Sequence, residues 1–195
     1  MKLMPEKDDI TDYLSYSHVI DYDNKLIQKK AKSLTKGISG DIEKARIIYE
    51  FVRDEIHHSS DINSKKVTYQ ASDVLFKGHG LCFAKSHLLA ALLRCEKIPT
   101  GFCYQKLSIS TGKILHGLNG VFIDEKWVRL DARGNNAVIN AQFSLNKEKL
   151  AYTPHKEMGD VNYPYIYSEP CPKIIKILQN YSTLDEVINH IVASL

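Results

Sequence analysis

The stretch GHGLCFAKSHLLAALLRC, residues 78–95, places a cysteine between a glycine-containing turn and a strongly apolar run. From Cys82 onward, apolar residues recur at spacings of three and four, which predicts a helix with a broad apolar face. Pro99 and Gly101 mark the end of this helix. The pattern predicts a buried central helix with Cys82 at its N-terminus. Either Cys82 fills a gap in the core, or the helix presents it for chemistry.

Three segments with β-like patterns follow the central helix. They are GFCYQKLSI, HGLNGVFID and KWVRLDA, residues 101–109, 116–124 and 126–132. Asp124 and Glu125 form a tight connection between the last two, which predicts an antiparallel pair. Because helices precede strands along the chain, we expect an α+β fold in which the central helix packs on an antiparallel β-sheet.

Further helices are predicted on both sides of this core. One covers residues 24–35, and a longer one starts at Asp41, a candidate N-cap, and frays near residues 57–58. Thr183 and Glu186 form a capping-box pattern before a closing amphipathic helix. The prolines and scattered polar residues between 135 and 172 predict a long wrapped segment with short elements only.

Composition limits the classes of protein to consider. The chain has 195 residues, 44% of them hydrophobic and 25% charged, with no repeat or linker, so we expect one domain over residues 1–195. The net charge of +3 is small, and the basic residues are scattered among acidic ones. No nucleic-acid partner is therefore expected. No apolar run has the length of a membrane span or a signal peptide, which predicts a soluble, cytoplasmic protein without a membrane partner. Four cysteines without a CxxC pair favour reduced thiols.

Three side chains from separate segments form a candidate constellation: Cys82, His116 and Asp131. Unpaired N–H groups and the helix dipole stabilise a thiolate at a helix N-terminus. His116, predicted at the opening of a strand, would take and return a proton, and Asp131 would fix its tautomer. Both lie about seven residues from the Asp124/Glu125 turn, so antiparallel pairing would place them opposite each other.

These motifs resemble the transglutaminase-like superfamily of papain-type cysteine enzymes. The matching text is ASDVLFKGHGLCFAKSHLLAALLRCEKIPTGFCYQ, residues 71–105, and HGLNGVFIDEKWVRLDARGN, residues 116–135. The resemblance covers a core of residues 41–136, with residues 137–195 as a wrapping C-terminal segment, and implies a papain-like or transglutaminase-like fold. It implies that Cys82 is the nucleophile, His116 the base and acid, and Asp131 the orienting carboxylate. No DxDxDG calcium loop occurs, so neither a metal nor another cofactor is expected.

The acyl pocket and the oxyanion hole are less defined by the sequence. Many relatives have an aromatic residue two positions after the histidine, where this chain has Leu118, a candidate substrate contact that would alter the shape of the acyl pocket. The backbone N–H of Cys82 is one natural oxyanion donor, and Tyr69 or Gln70 could supply a side-chain donor.

Three more residues are candidates for substrate binding. His79 lies three positions before the cysteine and would line the rim of the cleft. Trp127 could stack on a substrate, although packing on the sheet is its commoner role. Arg133 could bind a substrate carboxylate, whereas a structural ion pair or solvent exposure is the usual alternative.

These observations favour a cysteine acyl-transfer enzyme that forms a thioester from an amide or ester, with water or an amine resolving it. The expected partner is a protein or peptide substrate, with a small amine as an optional acceptor. Peptide or isopeptide cleavage and transamidation stay open, and arylamine acetyl transfer is less favoured. A non-catalytic binding module and a structural protein with an incidental cysteine are the alternatives from other classes. The sequence leaves the oligomeric state open.

Overall fold

The computed structural model describes residues 1–110 and 112–193. In these residues, helices and strands alternate irregularly along the chain. The helices are α1 Lys25–Leu34, α2 Asp41–Glu55, α3 Ala71–Lys77, α4 Cys82–Cys95, α5 Pro172–Asn180 and α6 Leu184–Ala193. The strands are β1 Met4–Pro5, β2 His57–His58, β3 His79–Gly80, β4 Thr100–Ile109, β5 Gly112–Ile123, β6 Lys126–Leu130, β7 Val161–Asn162 and β8 Tyr165–Ile166. The α+β fold class is therefore confirmed.

Helix α4 is the centre of the molecule. It begins at Cys82, as predicted, and every residue from 83 to 94 is buried. It contacts α1, α2 and α3 as well as strands β4 and β5. Burial on all sides explains why its apolar residues are not confined to one narrow stripe.

Strands β4, β5 and β6 form the predicted antiparallel sheet, and the short β7 extends it in the order β6-β5-β4-β7. Asp124 and Glu125 connect β5 to β6, both with positive φ angles of 54° and 59°. Gly117 allows α4 to lie close to β5, because a Cβ added there would be 2.7 Å from Cδ1 of Phe83. This close approach brings the start of α4 next to the middle of β5.

The start of α4 is fixed by a second, smaller pairing. Strands β2 and β3 run parallel, with His57 opposite His79 and His58 opposite Gly80. The prediction that residues 57–58 form a frayed helix end is therefore wrong, because α2 ends at Glu55 and the chain then becomes extended. The N-cap of α2 is Gly40, and Asp41 is its first helical residue. The consequence is that His58 lies beside the residues that lead into Cys82.

The C-terminal segment wraps around this core. Between residues 135 and 171 it contains a single 3-10 turn and two-residue strands, as its composition predicts. Helix α5, which the sequence analysis did not predict, starts with Pro172 at its first position. The capping box before α6 is confirmed, since the Glu186 carboxylate accepts the Thr183 N–H and the Glu186 N–H is bonded to Thr183 Oγ1. No helix in the described part of the chain is long and apolar enough to cross a membrane.

Candidate functional site

Cys82 is the first residue of α4, and its side chain is half-buried. The N-cap residue, Leu81, makes no side-chain hydrogen bond to the first turn. The first N–H groups of α4 therefore have no intrahelical or capping partner, and the positive end of the helix dipole lies at Cys82. Cys82 lines a cavity of about 420 Å³ together with His116.

His116 and Asp131 are held together beside this cysteine. The distance between His116 Nε2 and Asp131 Oδ2 is 2.8 Å, and both side chains are buried. His116 is the fifth residue of β5 rather than its opening residue. The last pair of the β5–β6 ladder is Asn119 with Leu130, so Asp131 lies diagonally across from His116 and not directly opposite. The diagonal contact still leaves Nδ1 of His116 as the nitrogen available to Cys82.

Both oxygen atoms of the Asp131 carboxylate accept hydrogen bonds. Its Oδ2 atom also accepts the Ala151 N–H at 2.9 Å, and its Oδ1 atom accepts the Arg133 N–H at 3.1 Å. Burial opposes the charged carboxylate, but the charge of His116 and these hydrogen bonds outweigh it and lower the pKa of Asp131. A carboxylate with this many donors is fixed in both charge and orientation.

His116 is stabilised as an imidazolium. Burial disfavours its charge, but the Asp131 carboxylate and the charge and hydrogen bonding of Cys82 outweigh burial and raise the pKa of His116 to about 10. Cys82 is one of the causes of this raised pKa, and it lines the same cavity as His116. The arrangement can therefore hold a thiolate–imidazolium pair, with a nucleophile and a proton donor in one cavity.

Tyr152 covers the imidazole. Its ring meets the His116 ring edge to face, with centroids 4.9 Å apart, and it follows Ala151 in the wrapping segment. Tyr152 is not predictable from the sequence, because no periodicity or motif connects it to His116, 36 positions earlier, through an irregular segment. Tyr152 excludes water from one side of the buried pair, which strengthens the pair's electrostatic interaction.

Arg133 lines the same cavity as Cys82. Its guanidinium forms a bidentate ion pair with Asp61, at 2.5 Å and 2.7 Å. Burial opposes its charge, but the bonds to Asp61 and Tyr152 raise the pKa of Arg133. Arg133 therefore forms the structural ion pair that was one alternative to binding a substrate carboxylate. It also lines the cavity.

The two candidate oxyanion residues, Tyr69 and Gln70, are not among the residues that line the cavity. The Gln70 side-chain amide donates to Asp21 at 3.1 Å, and the Tyr69 carbonyl lies 2.7 Å from Nδ1 of His87. Asp21 also accepts the N–H of Ser72, so this carboxylate holds both the Gln70 side chain and the start of α3. We therefore do not retain Tyr69 or Gln70 as oxyanion donors.

Three candidate substrate contacts also lie elsewhere. Leu118 is buried in a small core cluster, and Trp127 packs edge to face against Tyr13, with centroids 4.7 Å apart. His79 is buried with its Nδ1 atom 3.0 Å from the Ser59 hydroxyl. None of the three lines the cavity that contains Cys82, so we do not retain them as substrate contacts. No group of three or more metal-ligating side chains occurs in the described residues either.

Comparison with known proteins decides the family. The family model described as the transglutaminase-like superfamily matches residues 28–132, more than half of the chain. The chain belongs to this superfamily. Its members are typically cysteine-dependent enzymes, and the match contains Cys82, His116 and Asp131.

Two solved structures are similar to this chain. The structure of a "Putative Cysteine Protease" from Cytophaga hutchinsonii is 23% identical, with a TM-score of 0.56, over 65% of this chain and 43% of that chain. The periplasmic domain of TgpA from Pseudomonas aeruginosa is 17% identical, with a TM-score of 0.48, over 65% of this chain and 48% of that chain. The chain thus spans less than half the length of either structure. No match was found among curated proteins.

Two of the three histidines that line this cavity, His58 and His116, should carry different charges at neutral pH. The pKa of His116 is raised to about 10, so its imidazole stays protonated well above the ordinary histidine value of about 6.5. Burial and the charge of Arg133 lower the pKa of His58 to about 3, so it stays neutral well below that value. NMR titration of the imidazole C–H shifts, assigned with His58→Phe and His116→Gln variants, checks both. Titration of either ring near its ordinary value would contradict the cavity electrostatics.

Proposed function

We propose that this member of the transglutaminase-like superfamily is an acyl-transfer enzyme that uses Cys82 as its nucleophile. Sγ of Cys82 attacks the carbonyl carbon of an amide, an S–C bond forms, and the carbonyl π pair moves to oxygen. When the intermediate collapses, the C–N bond breaks and His116 gives its proton to the leaving amine. Asp131 holds the His116 imidazole in position and stabilises its charge.

The second half of the reaction consumes the thioester. Water or an amine transfers a proton to His116, attacks the acyl carbon and expels the Cys82 thiolate. A protein or peptide amide is the proposed acyl donor, and a small amine is the proposed alternative to water. The observation that supports this function best is the placement of His116 between a thiol at a helix N-terminus and a buried carboxylate, inside one cavity.

A glutamine-containing peptide tests the proposal. We expect the enzyme to release ammonia from the peptide, or to generate new N-termini by cleaving its backbone. Transamidation predicts that an added primary amine is incorporated at the glutamine, whereas hydrolysis predicts that the amine changes nothing. Mass spectrometry of the peptide, with and without amine, distinguishes these products. If neither ammonia, amine adduct nor new N-terminus appears across a panel of such peptides, a non-catalytic binding module becomes the better interpretation.

A further inference from the structure

His58 lies at the start of the central helix without a function in the mechanism above. Strand β2 pairs with β3 so that His58 is opposite Gly80, and the Ser59 N–H donates to the Gly80 carbonyl at 3.0 Å. Leu81 and Cys82 follow directly. The strand pairing therefore fixes the His58 backbone beside the residues that lead into α4, and His58 lines the same cavity as Cys82 and His116.

The polar atoms around this ring are incompletely paired. In the described residues, four buried side-chain nitrogen or oxygen atoms have no hydrogen-bond partner. Two of the four, Nδ1 of His58 and Nε of Arg133, belong to residues that line the cavity. A buried polar atom without a partner is unfavourable, so its retention calls for an explanation such as a catalytic role.

The imidazole of His58 is held in its neutral form. Burial and the positive charge of Arg133 lower its pKa to about 3, with Lys85 and His116 acting in the same direction and Asp61 opposing them. A neutral imidazole has one N–H and does not compete with His116 as a base. It can act as a hydrogen-bond donor to a developing negative charge, a role known for neutral histidines in enzymes.

We propose that the neutral His58 imidazole donates its N–H to the carbonyl oxygen of the bound acyl group and forms an oxyanion site with the first backbone N–H groups of α4. The inference rests on the proposed function. As the Cys82 Sγ–C bond forms, the π pair moves to oxygen and both donors stabilise the resulting charge. The pair returns to the carbonyl when the leaving group departs, so His58 donates a hydrogen bond throughout and transfers no proton. His58 thereby takes the role of side-chain oxyanion donor, for which Tyr69 and Gln70 were candidates.

Two reactions of the same thiol separate this role from a structural one. Acylation of Cys82 by p-nitrophenyl acetate passes through an oxyanion, whereas alkylation by iodoacetamide displaces iodide and does not. We expect His58→Phe to slow acylation about 10²-fold, the usual effect of removing one oxyanion donor, while the alkylation rate stays within about twofold. His58→Gln retains an N–H donor and should recover part of the acylation rate.

The matched control is His57→Phe, because His57 is exposed on the same strand and does not line the cavity. It should leave both rates unchanged. Equal loss of acylation and alkylation in His58→Phe would overturn the inference, since it would show that the ring only positions Cys82. Unchanged acylation in His58→Phe would overturn it as well. Failure of the unmodified protein to acylate faster than Cys82→Ala would instead overturn the proposed function itself.

Discussion

Substitution of Cys82 by alanine should abolish amide turnover, with kcat falling about 10⁴-fold or more. The reason is that the S–C bond of the acyl-enzyme cannot form, and no other thiol lies at a helix start facing His116 in the described residues. The substitution removes a half-buried side chain at the first position of α4, so the fold should persist. Ammonia release and peptide mass, measured beside a circular dichroism spectrum, provide the check.

Cys95→Ala is the matched control for this prediction. Cys95 is the last residue of the same helix and is also half-buried. Burial and the charge of Glu96 raise the pKa of its thiol, which makes it a poor nucleophile at neutral pH. We expect Cys95→Ala to retain activity and to leave one rapidly alkylated cysteine. Activity in Cys82→Ala, or its loss in Cys95→Ala, would contradict the assignment of the nucleophile.

The parts of the molecule that could be predicted from sequence are those set by local pattern. The apolar spacing after Cys82 defines α4, and the turn at Asp124 and Glu125 defines the β5–β6 pairing. The β5–β6 pairing suffices to bring His116 close to Asp131, even though their register is diagonal rather than direct. The family assignment follows from the same segments, since the matching region ends at residue 132.

The remainder of the cavity depends on contacts that no local pattern encodes. Tyr152 and Ala151 reach the buried pair from an irregular segment, and their approach is set by one hydrogen bond to Asp131. His58 reaches the cavity on a two-residue strand that exists only because it pairs with His79 and Gly80. Strands this short have no periodicity of their own, so the local pattern predicts the end of α2 at these residues instead.

The wrapping segment thus has a function beyond covering the core. Ala151 supplies a donor to the Asp131 carboxylate and Tyr152 shields the imidazole, so residues outside the family match complete the electrostatics of the pair. Asp61 has a comparable function towards Arg133, a residue that lines the cavity, because its carboxylate neutralises and orients the guanidinium. The charges of the residues around the cavity therefore depend on three separate segments: the loop between β2 and α3, the residues that follow β6, and the wrapping segment.

Asp131→Asn should lower kcat about 10³–10⁴-fold with little change in the fold. The Asp131 carboxylate accepts from His116, Ala151 and Arg133, whereas an asparagine side chain has one acceptor oxygen and an NH₂ group that only donates. If the NH₂ group faces His116, the imidazole must place its proton on Nδ1, towards the thiol, which is the wrong tautomer for a base. The loss of negative charge also removes the main support of the imidazolium.

The pH profile distinguishes this electrostatic effect from a general loss of structure. In the unmodified enzyme, the imidazolium persists to about pH 10, so turnover should fall on the alkaline side near that value. In Asp131→Asn, the alkaline limb should move towards the ordinary histidine pKa of about 6.5, because burial then acts without the compensating carboxylate. Asp124→Asn, in the exposed β5–β6 turn, is the control and should keep both kcat and the limb. An unmoved limb in Asp131→Asn would show that the carboxylate does not set the charge of His116.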